Sequence, residues 1–277
     1  MRRLPSRFST LSAFARATLL EAWRGKLLLV ALVLVLGCWA AGRFAGGVAM
    51  GEASATQAVV MAALLRLGLV LLLAAFALAS VVREEQDRVL DVWLALPSPR
   101  AIWLCGRMAG LVGVAASLAL LAGLGVALLG GATGGAAGTA GDWQSHAAWT
   151  GSLLLELTLV AALALCCAVA LQRIDLGLLA VGAAYLLART MTTIQLVATS
   201  ANAVPAGSSR FTGWAQTAID ALAHLVPRLD SFAPSAWLAY GLPQGSAAVL
   251  GGQLLQTLVF GAVLLGIALV DLQRRSL

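Results

Sequence analysis

Three charged residues sit deep inside long apolar runs: Arg66, Glu156 and Arg189. Each lies about nine residues from one end of its run, so at about 1.5 Å per helical residue all three reach a similar depth. Thr190, Thr192, Thr193 and Gln195 add polarity beside Arg189. Ions in such surroundings are costly, and they pair or line a water-filled path. Arg66, Glu156, Arg189 and Thr193 are therefore candidates for a polar route, or the ions form a structural Arg–Glu pair that fixes helix packing.

A second patterned stretch is Arg83–Arg100, REEQDRVLDVWLALPSPR. Glu84, Glu85 and Asp87 would occupy the first turn of a short helix, where carboxylates suit the positive end of its dipole. Val89, Trp93 and Leu96 follow at helical spacing, with Leu90 and Leu94 beside them. Pro97 and Pro99 end the helix before Arg100. This pattern reads as a surface made for a partner.

Other chemistry is missing from the sequence. The only lysine, Lys26, belongs to no G-x-x-x-x-G-K-[ST] phosphate loop, so nucleotide binding would fall to another subunit. His146 and His224 stand far apart, and Cys38, Cys105, Cys166 and Cys167 lack zinc-ligand spacing. No metal, cofactor or catalytic residue is expected in this chain, nor a nucleophile elbow.

The elements that hold these residues are membrane spans. Of the 277 residues, 61% are hydrophobic and 11% charged, with a net charge of +6. Soluble domains carry about 25% charged residues. Six apolar runs, near 27–45, 58–82, 108–129, 148–171, 176–199 and 248–270, can each cross a core of about 30 Å. The expected fold is an all-α membrane protein, a single transmembrane domain over residues 1–277.

Residues 1–26 are basic and can form an amphipathic interfacial helix, with Leu11, Ala15, Leu19, Ala22 and Trp23 on its apolar face and Arg16 and Glu21 away from it. Residues 83–100 form the loop between spans 2 and 3. Residues 200–246 form an external segment, with an amphipathic helix expected over 213–226. Basic residues cluster on the side of the termini, which places both termini in the cytoplasm. Their position beside apolar spans favours contact with membrane lipids over nucleic acid. Trp143 and Trp149 would lie at the outer interface and Trp93 and Trp103 at the inner one.

The acidic run, the hydrophobic segment and L-A-L-P-x-x-R resemble the coupling loop of ATP-binding-cassette permeases of the type-2 exporter class. Arg83, Glu84, Leu90, Asp91, Leu94, Ala95, Leu96, Pro97 and Arg100 match that pattern. Val89 stands where threonine is usual, and Gln86, Asp87 and Arg88 also depart from it. Span count, loop position and the preceding amphipathic helix extend the resemblance along the chain.

The resemblance implies an exporter permease in a bacterial cytoplasmic (inner) membrane. It would pair with a second copy or paralogue and with an ATPase subunit that binds ATP and Mg. Glu84, Glu85, Asp87, Leu90, Trp93, Leu96, Pro97 and Arg100 would form the contact with that ATPase. The permease itself would not be an enzyme. One branch of the class serves copper-enzyme maturation, and nothing in the sequence selects a substrate. A secondary transporter working through Arg66, Glu156 and Arg189, and a non-transporting scaffold, are the other readings.

Overall fold

The computed structural model describes residues 7–49, 52–87, 100–130, 140–201, 227–243 and 245–274. The described residues are helical, without a strand. The helices are α1 (Arg7–Arg24), α2 (Leu27–Val48), α3 (Ala53–Gln86), α4 (Arg100–Gly130), α5 (Ala140–Leu171), α6 (Ile174–Ala201), α7 (Ala236–Tyr240) and α8 (Ser246–Arg274). A 3-10 turn, Leu229–Ser231, precedes α7.

Six of these helices, α2 to α6 and α8, are long and apolar enough to cross a membrane. The chain is a multi-pass membrane protein. Six crossings put α1 and the end of α8 on one face, here the terminal face.

α2 and α3 form a hairpin. Leu27, Ala31, Val35, Cys38, Gly42 and Gly46 recur at steps of three and four and make the buried stripe of α2. Gly42 and Gly46 let the two backbones meet closely: a Cβ at Gly42 would lie 3.0 Å from the Gln57 carbonyl and 3.1 Å from the Met61 Cβ. Close approach through small residues drives helix association where lipid removes the hydrophobic gain. α5 runs through the centre, with Trp149, Leu153, Leu157 and Leu165 fully buried. Trp149 is thus a core residue, not the interface residue its position suggested. Trp143, one helical stretch earlier, is exposed.

α1 is a helix as expected, and its packed side shares Leu11, Ala15, Leu19 and Ala22 with the expected apolar face but adds Phe14, Thr18 and Glu21 and leaves Trp23 out. It packs along α4, where Gly106, Gly110 and Gly113 open a groove for Phe14, Thr18 and Leu19. Thr18 and Ala22 are buried and Trp23 is exposed. Glu21 turns towards α4, because a cation waits there: Arg107 Nη2 lies 3.1 Å from its Oε2.

The groove gives the first test. A Cβ at Gly110 would lie 2.5 Å from the Thr18 Cβ and 3.0 Å from the Ala15 carbonyl. Gly110→Leu should push α1 off α4 at a cost of about 1–3 kcal/mol. A cysteine placed at Ala15 should then react faster with a thiol probe. Unchanged labelling would show that α1 holds without this contact.

Arg83 to Gln86 continue α3 as its last turn. Glu84 and Glu85 therefore sit at the negative end of a long helix, not in the first turn of a new one. Neighbours offset that placement: Arg107 Nη1 lies 3.0 Å from Glu84 Oε1, and the Gln172 amide donates to Glu85. The remainder of the expected coupling helix, including Leu90, Trp93, Leu96 and Pro97, lies outside the described residues. So does the helix expected over 213–226.

Candidate functional site

The intramembrane ions meet. Arg66 of α3 and Glu156 of α5 form a buried pair at 3% and 0% exposure. The Arg66 Nε–H donates to Glu156 Oε1 at 2.8 Å, and Oε2 lies 2.6 Å from the same nitrogen. Tyr185 of α6 donates its hydroxyl to Glu156 Oε1 at 2.9 Å. One carboxylate thus joins three spans.

The rest of the Arg66 guanidinium faces backbone. Nη1 donates to the Ala233 carbonyl at 3.3 Å and Nη2 to the Leu229 carbonyl at 3.0 Å. Arg189 donates from Nη1 to that same Leu229 carbonyl at 3.2 Å. The segment after Pro227 therefore dips into the bundle and caps the ion pair. Phe232 anchors it, fully buried.

A second clamp holds this segment from the other side. Ser152 Oγ accepts the Ala233 N–H at 2.6 Å and donates to Gln253 Oε1 at 2.7 Å. The Gln253 amide donates to the Ser231 carbonyl at 2.6 Å. Ala233 adopts a left-handed backbone, φ 39°. A β-carbon disfavours that conformation, and here both of its peptide groups are engaged, the N–H by Ser152 and the C=O by Arg66.

A cavity of about 210 Å³ lies between α3 and α6, lined by Arg66, Tyr185, Arg189, Ala62, Ala63 and Ser235 among others. Thr193 lies one helical turn beyond Arg189 on α6, and its side chain is outside the described residues. Thr190 bonds back to the Leu186 and Leu187 carbonyls of its own helix.

A second network lies on the terminal face. Arg107 of α4 is 3% exposed. It pairs with Glu84 of α3 and Glu21 of α1 and donates from Nη1 to Thr18 Oγ1 at 3.1 Å. Arg100, the first residue of α4, donates from Nη1 to the Leu272 carbonyl at 2.6 Å and to the Gln273 carbonyl at 3.3 Å. It thereby caps the C-terminal end of α8, where free carbonyls suit a cation. Asp87 closes α3, its N–H donating to the Arg83 carbonyl at 2.9 Å.

The sequence reading singled out Arg66, Glu156 and Arg189, and the structure gathers them around one turn. It did not single out Tyr185, Ser152 or Gln253. Each is a polar residue in an apolar run, which was the available signal. Arg107 stands at the edge of an apolar run, where residue type alone does not set it apart from a surface charge. Among the described residues no group of three His, Cys, Asp or Glu side chains could hold a metal. Comparison with protein-family models and with curated proteins found no match for the chain.

Proposed function

We propose that the chain is the membrane-spanning permease subunit of an ATP-driven exporter, coupled through residues 83–100 to a separate ATPase subunit. Its termini would face the cytoplasm of a bacterium, and two permeases would enclose the translocation path. The sequence resemblance at that loop suggests the class.

One structural observation supports the coupling role. Both ends of the segment 88–99 are tied to other helices. On the near side, Glu84 meets Arg107 and, through it, α1 and α4. Glu85 meets Gln172 in the turn between α5 and α6. On the far side, Arg100 holds the end of α8. A push on the segment would therefore move several spans at once, which a solvated loop does not need.

The test is a double change within the segment, Val89→Asp with Trp93→Ala. Trp is an interface residue often rich in binding energy. The six spans should insert normally, while the ATPase should no longer co-purify and transport in vesicles should fall at least tenfold. A double variant that retains both the ATPase and transport would refute the coupling role. The buried Arg66–Glu156 pair favours a second reading, an ion-coupled secondary transporter. Transport driven by an ion gradient without ATP would select it.

A further inference from the structure

The geometry points to an anion-binding cleft between α3 and α6, in which Arg189, backed by Arg66, takes a phosphate-type or carboxylate group presented from the lipid-facing surface. The first ground is charge. Two guanidinium groups line the cavity, and Glu156 is the one carboxylate paired with either among the described residues. Glu156 accepts hydrogen bonds from Arg66 and Tyr185, and its single negative charge is shared between both guanidinium groups. Two cations against one anion leave one positive charge unbalanced at membrane depth among the described residues, and such an ion is costly there.

The second ground is donor supply. A guanidinium has about five N–H donors in a planar fork that matches phosphate and carboxylate oxygens. Arg189 uses Nη1 on the Leu229 carbonyl. That carbonyl already accepts from Arg66, so it does not depend on Arg189. The other Arg189 donors have no hydrogen-bond acceptor among the described residues, and the side chain is only half-buried.

The third ground is shape. The cavity, at about 210 Å³, is smaller than the roughly 300–1,000 Å³ pockets that enclose drug-sized ligands. It fits a small anionic group, with any larger remainder left outside. Ala62 and Ala63 on α3 leave the room, and Leu67 and Leu186 flank it. Both leucines are exposed on the surface of a membrane helix, so an acyl chain could run along them. A lipid headgroup and a free anion share the chemistry that Arg189 recognises. The cleft would bind its anion whether or not an ATPase drives transport.

The experiment uses the full chain, purified in detergent and exchanged into nanodiscs of phosphatidylcholine. Inorganic phosphate, dihexanoyl phosphatidylglycerol and dihexanoyl phosphatidylcholine are titrated separately, with native mass spectrometry counting adducts. Wild type should bind at least one of the two anionic probes, at least tenfold more tightly than the choline lipid. Preference for the glycerol lipid identifies a headgroup site, and preference for phosphate a free-anion site. Arg189→Gln should abolish that preference and Arg189→Lys retain part of it. Ala63→Phe, which fills the cleft and leaves every charge in place, should also abolish it and covers the case in which Arg189→Gln fails to fold. No anion preference in wild type, or an equal preference in wild type and Ala63→Phe, overturns the site.

Discussion

Glu156→Leu is expected to lower the folded yield of the protein more than any other single change considered. It strands Arg66 in the bundle without its carboxylate, and breaking a buried pair costs about 3–5 kcal/mol. It also takes the acceptor from Tyr185. Glu156→Gln should be milder, since an amide oxygen still accepts from Arg66 and Tyr185. The double change Arg66→Met with Glu156→Leu removes both ions, a swap that is often neutral for a buried pair. Here it should recover only part of the loss, because Arg66 also satisfies the Leu229 and Ala233 carbonyls. The measurement is the monodisperse fraction and its melting temperature in one detergent. Full recovery in the double variant would mean that the turn does not rely on Arg66.

Arg107→Met is the second large effect. Arg107 is the shared cation of Glu21 and Glu84, and its removal leaves two carboxylates around an apolar side chain. Hydrogen bonds to charged groups are worth about 1.5–3 kcal/mol each. The exposure of the two carboxylates, 39% for Glu21 and 26% for Glu84, lets water replace part of that. A loss of about 2 kcal/mol is expected. Glu84→Gln alone should cost less, and the two changes together should cost less than their sum, as groups in one network do. Additive losses would show that Arg107 and Glu84 are not coupled.

These networks mark where the sequence could be read and where it could not. Apolar runs located all six spans, because a span is a property of consecutive residues. Its ends were harder. α3 runs on to Gln86 and α4 begins at Arg100, since charged side chains continue a helix when partners outside the run receive them. An arginine at the edge of an apolar run looks the same whether it snorkels to lipid headgroups or, like Arg107, is sealed between three helices. Glu21 was placed on the wrong side of α1 for that reason, as its partner lies 86 residues away.

The three intramembrane ions were legible as a group because they share a depth. Their capping turn was not. Leu229 and Ala233 contribute backbone carbonyls, and a carbonyl leaves no mark on residue type. Ser152 and Gln253 are ordinary residues until a distance of 101 positions is closed.

The length of α3 has a mechanical meaning. Its 34 residues span about 51 Å at about 1.5 Å per residue, well beyond a hydrocarbon core of about 30 Å. Glu84 is near one end, and Arg66 lies 18 residues before it, about 27 Å along the same rod. No proline interrupts the rod, so no proline kink divides it. The intramembrane ion pair and the terminal-face network are thus two loads on one lever. A tilt imposed at Glu84 would arrive at Arg66 as a sideways displacement, widening or pinching the gap between α3 and α6.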